Sequence, residues 1–255
     1  MKLVDVGIGC GDQSLYLTSR LSKRLSSKTQ ESKPLFDSYV GVTIAQSQAD
    51  FARERLLKNS SSSSSPSTTT TPKAQIFAAN AADPTSWNPE LTKATTSSTT
   101  TKNPNQTWLL ALDTLYHFTP SRKPLFKHAY HELQASFMAF DLLLSDTPSF
   151  WDKLPMRAIC LVAGMPFSNL LTKKGYEDML VQVGYERDMI EMRDVSEDVF
   201  AGIAGYIREK DAELGKFGMG VGKFKGPAKV FDWWARSGVI RGFVVVARRG
   251  ERKEE

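Results

Sequence analysis

Cysteine is nearly absent: Cys10 and Cys160, far apart in sequence, are the only two. A disulfide framework is therefore excluded, and neither cysteine has partners at metal-ligand spacing. Histidine is as scarce, with three in all, of which His128 and His131 share a helical stretch. With no carboxylates or cysteines converging on them in sequence, the pair reads as a solvated helix face, and no metal site is expected. Long apolar runs are missing too. The first apolar stretch is broken at once by Asp5 and glycines, which removes a secretory signal, and no later run approaches a membrane span. The expected location is the cytoplasm. There is no P-loop, no Ser-His-Asp arrangement and no glycosidase-type carboxylate pair, so kinase and hydrolase chemistry drop out. The net charge of +5 has no focus, because basic residues are scattered and gather only at Arg248, Arg249, Arg252 and Lys253. Without a basic stripe interleaved with aromatics, nucleic acid is not the expected partner.

What is present is an ordinary globular composition, 41% hydrophobic and 24% charged, read as one domain over residues 1–255. Residues 59–72 and 92–106 are Ser/Thr-rich and are expected to be disordered surface loops, since they bring too little apolar area to offset ordering entropy. With these set aside, apolar strand-like segments at 3–6, 39–44, 75–79, 107–112 and 137–144 alternate with helical stretches from 13, over 46–58 and over 120–133. Nearly continuous apolar strands separated by amphipathic helices predict a doubly wound α/β fold, a Rossmann-like parallel sheet covered on both faces. Beyond Ser145 a helix is expected near 173–183 and strands near 189–192 and 242–247. The stretches 147–171 and 195–238 read as a cap on the acceptor side, contributing Phe150, Trp151, Met156, Met165, Phe167, Phe200, Trp233 and Trp234.

The most informative motif is Leu3-Val4-Asp5-Val6-Gly7-Ile8-Gly9-Cys10-Gly11-Asp12. An apolar strand runs into alternating glycines and then a helix. Glycines there allow positive φ and close approach of a ligand at the carboxyl end of the strand. A dinucleotide fingerprint needs its third glycine at position 12, where Asp12 stands instead. A pyrophosphate on a helix N-terminus tolerates no neighbouring carboxylate, so Asp5 and Asp12 suit a cationic, phosphate-free nucleoside. As plain structure the same two residues would cap the helix and the strand end.

On these residues, in order with three later segments, the chain resembles the class I S-adenosylmethionine-dependent methyltransferases from Leu3 to about Ala247. The resemblance implies a mostly parallel sheet with an antiparallel last strand, S-adenosylmethionine as cofactor and a small-molecule acceptor. Gly7, Gly9 and Gly11 correspond to its glycine turn. Tyr39-Val40-Gly41-Val42-Thr43-Ile44 followed by Gln48 is similar to the branch of sterol, tocopherol and cyclopropane-forming enzymes, which places Thr43 and Gln48 on the ribose side. Ala79-Asn80-Ala81-Ala82-Asp83 resembles the adenine-recognising segment, with Asn80 at the usual Asp position and Ala81 beside it. Asp113, in Ala111-Leu112-Asp113-Thr114-Leu115-Tyr116-His117-Phe118, completes the cofactor-side set.

For the acceptor, the resemblance points to His117 as a general base, with Asp141 at the end of the fifth strand as the group that orients or charge-balances its imidazole. His117 packed between Tyr116 and Phe118 and Asp141 capping a strand are the structural alternatives. The sequence departs from the family in two places. It starts two residues before the first strand, so the helices that fold over the cofactor are expected to be missing. In addition, Gln134-Ala135-Ser136 replaces a Gly-Gly turn. Two further functions stay open at this point, a catalytically silent binding or regulatory protein and an RNA-directed methyltransferase.

Overall fold

The computed structural model describes residues 1–21, 36–61, 73–96 and 107–250. Among these residues seven strands form one sheet: β1 (Lys2–Val6), β2 (Ser38–Thr43), β3 (Lys73–Ala78), β4 (Thr107–Leu112), β5 (Ser136–Leu144), β6 (Ile190–Asp194) and β7 (Ile240–Ala247). Their spatial order is β3-β2-β1-β4-β5-β7-β6. The first five are parallel, with Val4 level with Val40 on one side and with Leu109 on the other. β7 runs antiparallel to both β5 and β6, as expected for the last strand. The strand order reverses between β1 and β4, and in a doubly wound sheet ligands bind in the crevice that such a reversal opens.

Period-two alternation sorts the strand residues between two cores. Val4, Val40, Leu109 and Phe137 meet one face with Leu91, Phe126 and Leu180. These come from α3 (Pro89–Thr96), α4 (Lys123–His131) and α6 (Lys173–Val183). Leu3, Tyr39, Ile76 and Leu110 meet the other face with Ala49 and Ala52 of α2 (Gln46–Ser61). Both faces are covered, which is why the strands read as apolar without a polar alternate.

α2 and α3 extend into the two Ser/Thr-rich stretches, and this corrects the expectation of loops from 59 and from 92. The α3 turn is held because the Asn88 carboxamide oxygen accepts from the Leu91 amide at 2.8 Å while Leu91, Ala94 and Thr95 are buried. Burial of one face outweighs the poor helix propensity of threonine. Residues 62–72 and 97–106, the remainder of those stretches, lie outside the described residues.

The later region adds α5 (Phe150–Ala163), α7 (Ser196–Gly215) and α8 (Lys225–Ser237). Met156, Cys160, Phe200 and Trp234 from these helices form a third core with Tyr116, Leu142 and Ile240. Phe200 and Trp234 meet edge to face at 5.5 Å. Phe150 and Trp151, by contrast, are exposed. The turn before β5 keeps a glycine-like shape without a glycine, since Gln134 takes φ 50°, a left-handed conformation that is uncommon outside glycine.

Candidate active site

The three glycines after β1 all have positive φ, 78° at Gly7, 53° at Gly9 and 81° at Gly11, but their neighbours differ. A Cβ on Gly7 would stand 2.4 Å from the Thr114 hydroxyl, and one on Gly11 2.7 Å from Ala52 Cβ. Those two glycines let the turn close against β4 and α2. A Cβ on Gly9 would meet nothing within 4 Å. Of the three, Gly9 is the one whose missing side chain would point into open space, and the Gly7 and Ile8 amides hold the turn by donating to the Val42 carbonyl at 2.8 and 3.2 Å.

That space is a cavity of about 340 Å³ at the carboxyl ends of the central strands. It falls within the range of roughly 300–1,000 Å³ usual for small-molecule sites. Gly7, Gly9, Thr43, Gln48, Asn80, Ala81, Thr114 and His117 are among its lining residues, so three separate chain segments converge with the glycine turn. A larger hollow of about 880 Å³ lies along β3 and α2. It holds none of the convergent groups.

The polar groups of the cavity are partly committed. The Thr43 hydroxyl donates to Gln48 Oε1 at 2.6 Å, which leaves the Gln48 amide nitrogen as a donor. Asn80 Oδ1 accepts from the Ala82 amide at 3.0 Å, and the Asn80 carbonyl accepts from the Trp87 indole at 3.0 Å. This Asx-type turn fixes Asn80 and Ala81 at the cavity wall.

Asp5 and Asp12, expected to face the ligand, do not line the cavity. Asp5 is fully buried and shares the sheet face of Leu3. Its carboxylate accepts from Gln13 Nε2 at 2.6 and 2.7 Å and from the Tyr39 hydroxyl at 2.6 Å. It thus joins β1, β2 and the helix start α1 (Asp12–Leu15), and burial pushes its pKa up to about 7. Asp12 points outward, with its side chain 82% exposed, and pairs with Arg55 of α2 at 2.6 Å. The hydrogen bond from Arg55 holds the Asp12 carboxyl below its ordinary range. The correction for Asp5 was visible in the strand period, since Leu3 and Asp5 share one face and Val4 and Val6 the other. Arg55 lies a helix away, and sequence carries no sign of that pairing.

A pH prediction follows for Asp5. Its folded-state pKa is raised, so the folded chain holds the proton more tightly than the unfolded one, and this contribution is present below the ordinary value of 3.8 and lost as pH rises through about 7. Asp141, raised to about 6 by burial, adds to the same trend. Urea unfolding of Asp5→Asn across this window should show a shallower decline than the native chain. An unchanged slope would place the effect elsewhere.

The segment after β4 supplies the remaining groups. Asp113 takes φ 55°, its amide donates to the Phe140 carbonyl at 3.1 Å, and its carboxylate accepts from the Tyr116 hydroxyl at 2.8 Å. Asp113 lies next to the cavity-lining Thr114 without lining the cavity itself. His117 ends a single 3₁₀ turn, Leu115–His117, with its ring tilted on Tyr116 at 4.5 Å between centroids. Partial burial lowers the His117 pKa, while the Asp113 carboxylate and the Gly164 backbone pull it the other way.

Asp141 is not the partner of His117, which corrects that expectation. Fully buried, it forms an ion pair with the equally buried Arg122 and accepts from the Leu142 amide at 2.9 Å. Arg122 also donates to the Asn169 carbonyl, and its guanidinium carbon lies 5.1 Å from the centre of the Tyr176 ring. The Asn169 amide in turn donates to the carbonyls of Tyr116 and Phe118 at 3.1 and 2.6 Å, bracketing His117. Arg122 and Asn169 were missed in the sequence, because a buried cation and its counter-ion are recognisable only once burial is known.

Among the described residues no group of three or more His, Cys, Asp or Glu is placed to hold a metal ion. His128 is half-buried and meets Trp87 edge to face at 4.9 Å, not the solvated position expected, while His131 is exposed. Among the described residues no helix is long and apolar enough to cross a membrane.

No family model and no curated protein sequence matches the chain. Solved structures do. Geranyl diphosphate C-methyltransferase from Streptomyces coelicolor A3(2), in complex with Mg2+, geranyl diphosphate and S-adenosyl-L-homocysteine, is similar with a TM-score of 0.59 at 16% identity, covering 98% of this chain and 73% of that one. Phosphoethanolamine N-methyltransferase 2 from Haemonchus contortus, in complex with phosphomonomethylethanolamine and S-adenosylhomocysteine, gives 0.62 at 12% identity over 98% of this chain and 49% of that one. A cyclopropane synthase from Mycobacterium tuberculosis gives 0.59 at 14% identity over 97% and 78%. At such identities the likeness is one of fold. The chain has the class I methyltransferase fold, with its seven-stranded, mostly parallel sheet.

Proposed function

We propose that the chain is a cytoplasmic enzyme that binds S-adenosylmethionine in the cavity beside Gly9 and transfers its methyl group to a small, partly apolar molecule. The observation that carries this reading is the convergence at one cavity of the glycine turn, the Thr43–Gln48 pair, the Asn80–Ala81 turn and His117. The fit is chemical as well as spatial. Gly9 leaves its side open, Gln48 keeps a donor for a ribose hydroxyl, and Asn80 keeps a second lone pair for the adenine amino group. Asp5 and Asp12 are left to the scaffold.

Bound there, the cofactor would supply a methyl carbon made electrophilic by its sulfonium. His117 would hold a hydroxyl acceptor and take up its proton, and partial burial, which lowers the pKa of the ring, favours the unprotonated imidazole that this role needs. For carbon or nitrogen acceptors, holding the acceptor in line suffices. We place the acceptor over the third core, with residues 147–171 and 195–238 as a cap within a single domain. Gly164, which ends α5, contributes backbone next to His117.

Calorimetry tests the binding half. S-adenosylmethionine and S-adenosylhomocysteine are expected to give saturable heats and NADH none. Binding of NADH alone would end the reading. The reading of a silent, methyltransferase-like binding protein is favoured by one specific feature, the position of Asp5 and Asp12 away from the cavity, which leaves no carboxylate among its lining residues. Saturable S-adenosylmethionine binding without transfer to any acceptor offered would support it.

A further inference from the structure

The hairpin between α7 and α8 has no part in the cofactor cavity, yet its tip is unlike the rest of the surface. Residues 215–226 read Gly-Lys-Phe-Gly-Met-Gly-Val-Gly-Lys-Phe-Lys-Gly. Phe217 is 77% exposed, Met219 58% and Phe224 53%. Large apolar side chains gathered at an exposed turn mark an interaction site, whereas isolated ones do not. Charge is equally one-sided, which corrects the expectation that basic residues gather only at the C-terminal tail: Lys216, Lys223, Lys225 and Lys229 fall between Glu213 and Asp232 with no acidic residue among them.

The tip is built and not splayed. The Phe217 and Met219 amides both donate to the Leu214 carbonyl at 3.0 Å, and the Val221 amide donates to Asp211 at 3.0 Å. Three of the nearby acids are paired within the hairpin, Asp211 with Lys225 at 3.0 Å, Glu213 with Lys210 at 2.6 Å and Asp232 with Arg208. Among the described residues Lys216, Lys223 and Lys229 enter no ion pair. Three lysines without an ion pair therefore share this hairpin with three exposed apolar side chains, and the Lys223 ammonium stands 5.8 Å from the centre of the Phe224 ring.

We propose that this tip docks the protein on an anionic lipid surface. Phe217, Met219 and Phe224 enter the boundary between headgroups and acyl chains, and Lys216, Lys223 and Lys229 meet the negative headgroups. Apolar and aromatic side chains flanked by lysine are what an interfacial element needs. Nucleic acid fits less well, because the tip carries no Arg, Asn or Gln to read base edges. A second copy of the same tip would bring like charges together. The proposal is independent of methyl transfer and would hold for a chain that binds no cofactor.

The test is sedimentation of the full chain with vesicles of phosphatidylcholine alone and of an equimolar mixture with phosphatidylserine, at rising salt, with polyuridylate as an alternative polyanion. Retention is expected on the mixed vesicles only and should fall with salt. Lys216→Gln with Lys223→Gln should weaken retention by about 30-fold. Phe217→Ser with Phe224→Ser should weaken it by at least about tenfold. Both pairs alter exposed side chains, so the unfolding transition should stay at the native midpoint. The proposal is overturned by no retention on the mixed vesicles, by retention that the phenylalanine pair leaves unchanged, or by tighter binding to polyuridylate than to lipid.

Discussion

Asp141→Ala is expected to lower the stability of the fold by about 3–5 kcal/mol, the cost of leaving a buried cation without its partner. Arg122 and Asp141 are both fully buried, so no water replaces the missing carboxylate around the guanidinium. The loss should spread, because Arg122 also holds Asn169, and Asn169 holds the backbone on either side of His117. Urea unfolding measures the effect, and a double-variant cycle separates its parts. Since a buried ion pair barely exceeds its own desolvation cost, Arg122→Met combined with Asp141→Leu should recover much of what Asp141→Ala loses. An unchanged unfolding midpoint for Asp141→Ala would remove the clamp. A residue that acted on His117 by charge would behave differently, since Asp141→Asn would then alter the pH profile of turnover while stability stayed intact.

His117→Ala is expected to lower turnover by roughly 100-fold if the acceptor is a hydroxyl, the usual contribution of a positioned general base. Cofactor affinity, read by calorimetry, should change far less, because the ring is one of many groups lining the cavity. The pH dependence has a defined sign. The base must be unprotonated, so the rate should rise with pH and level off below the ordinary histidine value, the direction in which burial moves this ring. Asp113→Asn removes a carboxylate that pulls the ring pKa up and should move the rise to still lower pH. Turnover that is unchanged in His117→Ala would leave the acceptor to be positioned without a base.

Much of this arrangement is legible along the chain. Gly7, Gly9 and Gly11 mark the turn because only glycine takes positive φ there at no cost. Thr43, Gln48, Asn80, Ala81 and His117 stand near the carboxyl ends of apolar strands, and a doubly wound sheet brings those ends together. The three acids show where such reading stops. Asp5, Asp12 and Asp141 were each assigned to ligand or catalytic work because a carboxylate near a strand end has that chemistry. In the folded chain Gln13 and Tyr39 hold the first, Arg55 the second and Arg122 the third.

The sequence by itself determined the strands, the class of sheet they form and the glycine turn after the first of them, because these follow from local periodicity and from glycine stereochemistry. Only the tertiary structure decided what each ionisable side chain does. A carboxylate takes the nearest cation or donor that burial leaves it, and for Asp12 and Asp141 that partner comes from another element, across distances that no local pattern records.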